Sequence, residues 1–175
     1  MKIRLDEARV QPIEWDETLL VPVGELGGID ELVVLGPVIW RGRVVEVEGG
    51  FFLRARLEAS QGLRCDRCLT EFERDLEGDV ELLVVIDEPP EDDEIELRAD
   101  DLGILYHDGE EFDTWPLLIE HLTLGVPMQP LCRDDCRGLC ARCGEDLNDG
   151  TCDCGQEEPD PRWAALAQLK DRLSN

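Results

Sequence analysis

Eight cysteines constrain this chain more than any other feature. They stand at 65, 68, 132, 136, 140, 143, 152 and 154, so that all fall in close pairs. Residues 1–10, MKIRLDEARV, mix charges with apolar residues and lack the apolar core of a secretory signal. The longest apolar stretch, 32–40, is interrupted by Gly36 and Pro37 and falls far short of a membrane span. A cytoplasmic protein is expected. In a reducing compartment paired cysteines point to metal ligation or redox chemistry rather than to lasting disulfides.

The pairs have the spacing of metal ligands. A short turn aims two thiolates at one ion, and a second pair completes the tetrahedron. Cys140-Ala141-Arg142-Cys143-Gly144 is such a turn, with Cys152-Asp153-Cys154 returning eight residues later. Cys140, Cys143, Cys152 and Cys154 are therefore expected to hold one zinc ion, with no open position for catalysis. Cys65, Cys68, Cys132 and Cys136 remain and are expected to form a second four-sulfur site joining distant parts of the chain. Other solutions stand beside these. Cys132 and Cys136 can be partitioned with Cys140 and Cys143, an iron–sulfur cluster also accepts four thiolates, and Cys65 with Cys68 can serve as a redox pair.

Charge narrows the function classes. The 175 residues carry 42 Asp and Glu against 17 Lys and Arg, a net charge of −25, which repels phosphate backbones and anionic membranes alike. Segment 85–113 alone holds 13 acids and one base, Arg98. Its centre, Asp87-Glu88-Pro89-Pro90-Glu91-Asp92-Asp93-Glu94, has the composition of a solvated loop and offers a dock for a basic partner. Arg133, Arg137 and Arg142 interleave with the later cysteines, as Arg64 and Arg67 do with the first pair. Their plain role is to offset thiolate charge; contact with RNA phosphates is the sharper alternative. Enzyme signatures are missing: there is no phosphate-binding loop and no GxGxxG, and His107 and His121 stand apart from any nucleophile motif.

The rest of the sequence predicts an α+β protein, with a β-rich antiparallel core, a cysteine-rich zinc module and a C-terminal helix. Residues 32–47 and 79–86 have strand composition. Register favours a three-residue turn that sets Val47 against Phe51 and Val45 against Leu53. A helix is expected after Thr114, with Trp115, Leu118, Ile119 and Leu122 on one face. Another starts at Asp160-Pro161 with a stripe of Trp163, Leu166, Leu169 and Leu173. The organisation expected is a β-rich region with its acidic loop over 1–113. Residues 114–175 then supply a helix, the cysteine module and the last helix, packed as one unit.

Several motifs in order resemble a known family. They are Cys65-Asp66-Arg67-Cys68-Leu69 with Phe72, then Pro130-Leu131-Cys132, Cys136-Arg137-Gly138-Leu139-Cys140 and Cys143-Gly144, and finally Asp160-Pro161-Arg162-Trp163-Ala164. Together they resemble the YceD family, the large ribosomal RNA subunit accumulation proteins. Ala141 departs from the pattern, since many relatives have proline there. The resemblance implies a non-enzymatic factor supporting accumulation of large-subunit (23S) ribosomal RNA and ribosome assembly. Some members lack the later cysteines, which implies a structural metal. With the charge it implies a ribosomal protein or pre-ribosomal particle as partner, RNA contact being indirect, and no small-molecule substrate. The alternatives are a direct RNA-binding zinc protein and a thiol redox protein using Cys65 and Cys68.

Overall fold

A computed structural model describes residues 1–26, 33–87 and 103–154 of the chain. The helix expected from Asp160, and the acidic loop beyond Asp87, lie outside these residues. Seven strands and two α-helices are present among the described residues: β1 (Lys2–Arg4), α1 (Leu5–Ala8), β2 (Ile13–Leu19), β3 (Val33–Val47), β4 (Gly50–Arg64), β5 (Glu71–Ile86), β6 (Ile104–His107), β7 (Glu111–Asp113) and α2 (Trp115–Leu124). The main sheet has the order β2-β3-β4-β5-β6, and β1 pairs with β7 in a small second sheet. All pairs are antiparallel except β5 with β6, which run parallel. No described helix is long and apolar enough to cross a membrane.

The core lies on one face of the main sheet. Strand alternation sends Phe51, Leu53, Ala55 and Leu57 of β4 inward, with Trp15 of β2, Trp40 and Val44 of β3, and Val80 and Val84 of β5 beside them. Both helices cover this face: Leu5 and Ala8 come from α1, Leu118 and Leu122 from α2. Pro116 in the first turn suits α2, because the first helical amides have no partner to lose. Two polar groups fix its seating. The Trp40 indole N–H donates to Thr114 Oγ1 at 3.3 Å. The fully buried Gln61 donates from Nε2 to the Leu122 carbonyl at 2.9 Å. The opposite face of the sheet meets solvent.

The β3–β4 turn differs from the expected one. Val47 pairs with Gly50, Glu46 with Phe51, Val45 with Phe52 and Val44 with Leu53, leaving Glu48 and Gly49 as a two-residue turn. Gly49 takes φ +91° in the turn, and Gly50 belongs to the sheet, where a Cβ would lie 2.3 Å from the Val84 carbonyl oxygen. Apolar residues occupy both faces here, so side-chain alternation alone does not choose the register. Val45, Phe52 and Leu83 lie on the outer face in register, whereas Glu46 shares the inner face with Phe51. Arg9 reconciles that pair, with its guanidinium 5.8 Å from the Phe51 ring centre and its Nε 4.0 Å from Glu46. The third long strand extends further than the expected 79–86. β5 starts at Glu71, because the charged run before Asp79 pairs fully with β4 at the exposed end of the sheet.

Candidate metal centre

The far end of the β4–β5 hairpin carries the first cysteine pair. After Arg64 the chain turns through Cys65–Thr70. The Cys65 amide donates to the Thr70 carbonyl at 2.9 Å, and the Leu69 amide donates to the Cys65 carbonyl at 2.9 Å. The second CxxC repeats this scheme. Cys140 donates to the Glu145 carbonyl at 2.8 Å, and Gly144 to the Cys140 carbonyl at 2.9 Å. Each turn closes through a left-handed residue one place after its second cysteine, Leu69 at φ 59° and Gly144 at φ 75°. Leu69 is the one non-glycine residue with positive φ among those described. The two turns form the same local structure, a relation hidden in the sequence because leucine stands where glycine would be recognised.

The loop after α2 brings the other half of the first set. The Asp66 amide donates to the Pro130 carbonyl at 2.9 Å, docking the hairpin tip against the approach to Cys132. Sγ of Cys65 then lies 3.8 Å from Sγ of Cys136, and Sγ of Cys68 lies 3.6 Å from Sγ of Cys132. The four sulfurs lie within 4.8 Å of one another, and so do those of Cys140, Cys143, Cys152 and Cys154. A tetrahedron with metal–sulfur bonds of about 2.3 Å has edges of about 3.8 Å, so these contacts fit four ligands around one ion. Three members of the inner set are buried, Cys65, Cys68 and Cys136 at 0%, 6% and 2% exposure, and Cys132 is half-buried. The outer set is half-buried, and its Cys143 is exposed.

Each set divides its thiols electrostatically. Burial pushes the Cys65 thiol up, but backbone amides from Cys132, Cys68 and Arg67 outweigh it and bring the group to about 6. Burial, then the neighbouring sulfurs of Cys68 and Cys136, push Cys132 up to about 12. In the outer set the backbone amides of Cys143 and Arg142 hold Cys140 at about 6, while the Cys143 sulfur pushes Cys154 up to about 12. Each group of four therefore contains one thiolate formed near neutral pH beside a thiol that loses its proton readily only to a metal.

The arginines around the cysteines act mainly on the backbone. Arg67 donates to the Cys136 carbonyl at 2.7 Å, Arg137 to the Gly150 carbonyl at 3.1 Å and Arg142 to the Cys154 carbonyl at 3.1 Å. Arg133 lies 3.6 Å from Asp135. The first three tie the turns together, which is a use distinct from phosphate binding. Gly138 links the two sulfur sets. Its carbonyl accepts from the Leu147 amide at 2.9 Å, and the next amide, Leu139, donates to the Arg67 carbonyl at 3.1 Å. Asn148 was not singled out from the sequence. Its Nδ2 lies 3.4 Å from the Cys136 Sγ, and its Oδ1 accepts from the Arg137 amide at 2.8 Å. No spacing rule marks an amide side chain that supports a sulfur from another turn. His107 and His121 are outside both sets and bond to the carbonyls of Glu111 and Leu117.

A family model described as large ribosomal RNA subunit accumulation protein YceD matches residues 53–170, a span containing all eight cysteines. The chain is similar to the chloroplastic large ribosomal RNA subunit accumulation protein YCED homolog 1 of Arabidopsis thaliana. Identity is 31% over 64 residues, covering 37% of this chain and 20% of that protein. It is 30% identical over 138 residues to an uncharacterized protein of Mycobacterium tuberculosis, covering 73% of this chain and 59% of the relative. An uncharacterized protein of Mycobacterium leprae is 29% identical over 144 residues, covering 79% and 63%. The chain thus spans less than two thirds of the length of each of these relatives. No solved structure matches it. With the family match covering both sulfur sets and the sheet from Leu53 of β4 onward, the chain belongs to the YceD family of large ribosomal RNA subunit accumulation proteins.

Proposed function

We propose that this protein is a non-enzymatic, zinc-stabilised factor that supports accumulation of large-subunit (23S) ribosomal RNA during ribosome assembly. It acts in the cytoplasm through a basic protein partner, a ribosomal protein or a pre-ribosomal particle. The observation that carries the reading is the family match across residues 53–170, whose description concerns ribosomal RNA accumulation. The net charge of −25 supports a basic partner, because complementary charge speeds encounter. The close sulfur contacts favour a single ion in each set over a multi-iron cluster, whose thiolates bind separate irons. With eight thiols serving as ligands, the redox reading of Cys65 and Cys68 loses its free dithiol. In this proposal 1–113 is a β-rich region with its acidic loop and 114–175 packs as one unit, with the inner metal site tying the two together.

Two measurements test it. Metal analysis of the purified protein should give two zinc ions per chain, falling to one in the Cys140→Ser/Cys143→Ser variant and in Cys65→Ser. Full zinc in either variant counts against the corresponding site. Affinity capture from lysate should recover basic ribosomal proteins in a salt-sensitive manner, and neutralising Glu91, Asp92, Asp93 and Glu94 to their amides should weaken that recovery. Recovery of no ribosomal component would refute the assembly role.

A further inference from the structure

The solvent face of the main sheet carries a feature that the metal centre does not use. Arg41 and Arg43 on β3 stand directly opposite Arg56 and Arg54 on β4, two like-charged cross-strand pairs in adjacent positions. Such pairs repel, and a face serving solubility alone would set arginine against glutamate. Here most of the acids sit on the flanking strands instead, and Glu58 of β4 itself lies 3.5 Å from both Arg41 and Arg56. Arg41 pairs with Asp16 at 3.0 Å, Arg43 with Glu14 at 3.5 Å and Arg54 with Glu81 at 3.0 Å, while Arg56 meets Glu77 and Asp79. Four of the 17 basic residues of a strongly acidic chain thus stand at neighbouring positions of β3 and β4. Beside them Phe52 is 38% exposed, and a shallow depression of about 630 Å³ runs over the arginines, Val45 and Phe52.

We infer that this face binds a short stretch of single-stranded RNA, with the arginines on its phosphates and Phe52 against a base. Planar guanidinium groups match phosphate oxygens with paired hydrogen bonds, and an aromatic ring on an open sheet is a platform for an unstacked base. The flanking carboxylates hold the arginine side chains spread over the surface. Exposed ion pairs contribute little, so exchanging a carboxylate for a phosphate is cheap. The overall negative field works against a long duplex, whose phosphates would extend beyond the stripe, and so selects a short, flexible strand. This site lies on the opposite face of the sheet from the helices, and among the described residues its arginines pair with side-chain carboxylates, whereas Arg67, Arg137 and Arg142 donate to backbone carbonyls. The inference does not depend on the protein-partner reading and adds a direct RNA contact to it.

Fluorescence anisotropy with a labelled 12-nucleotide oligouridine, on the zinc-loaded full chain, tests this. Contact with four phosphates predicts a log–log salt slope of about −3, from about −0.7 per phosphate for single strands. Arg43→Gln/Arg54→Gln should weaken binding at least tenfold and halve the slope, and Phe52→Ala should weaken it at least fivefold. Unchanged melting and zinc content check the fold, and Arg43→Lys/Arg54→Lys, which keeps the charge, should recover only part of the affinity. Absence of binding by the wild-type chain, or equal affinity in the glutamine and alanine variants, overturns the inference. So does equal competition by an oligoglutamate peptide together with indifference to Phe52→Ala, which would mark an acidic peptide as the occupant. Either failure leaves the capture of ribosomal proteins unaffected, so the two readings fail separately.

Discussion

Gly138 sits between Cys136 of the inner sulfur set and Cys140 of the outer one, at φ +74°. A Cβ there would stand 2.9 Å from the Arg67 carbonyl oxygen and 3.3 Å from the Arg67 Cβ. Gly144 provides an internal control, because it has nearly the same φ, +75°, but nothing within 4 Å of an added Cβ. A left-handed conformation costs a non-glycine residue about 1–2 kcal/mol, and alanine returns about 0.4–1 kcal/mol by restricting the unfolded chain. Gly144→Ala should therefore cost about 1 kcal/mol. Gly138→Ala carries the same terms and must also displace the Arg67 carbonyl from the Leu139 amide, losing about 0.5–1.5 kcal/mol for the bond and more where the displaced amide finds no other partner. Its total should be about 2–4 kcal/mol, a large share of a marginal stability. Urea unfolding of the two zinc-loaded variants in parallel reads the difference, with zinc content measured on the same samples. Equal losses in the two variants would refute the claim that close approach at Gly138 couples the sulfur sets.

Other expectations follow from the same geometry. Zinc uptake at pH 7 should release fewer protons per ion than four ordinary thiols would, because Cys65 and Cys140 lie at about 6; calorimetry in two buffers of different ionisation enthalpy measures this. Because the higher thiols already compete with zinc at neutral pH, affinity should fall with falling pH throughout that range, and the fall should steepen by about one proton per site below about 6, which a colorimetric chelator follows. Gln61→Leu should cost about 1 kcal/mol in urea unfolding, since the Leu122 carbonyl loses its side-chain donor while the buried and unpartnered Gln61 Oε1 is removed with it. Leu122→Ala, at a fully buried position between α2 and the sheet, should cost about 2–5 kcal/mol in the same assay.

Much of this architecture follows from local residue patterns. The paired cysteines carry their own chemistry, because a CxxC turn aims two sulfurs at one point wherever it occurs. The strand composition before Cys65 and the proline-started helix at Trp115 are equally local, set by side-chain alternation and by the missing amide of Pro116. The register of the β3–β4 turn was beyond such reasoning. Apolar residues at its base fit either face, and the choice came from Gly50 lying against the Val84 carbonyl of a third strand. The same holds for the length of β5, whose charged first half is a strand because β4 offers a full row of partners. Only the folded chain joins Cys65 and Cys68 to Cys132 and Cys136, through the hairpin tip bonded to Pro130 and the glycine at 138 that lets two turns touch. The arginine stripe is tertiary in origin as well. Arg41, Arg43, Arg54 and Arg56 are unremarkable in sequence, and strand pairing alone sets them side by side.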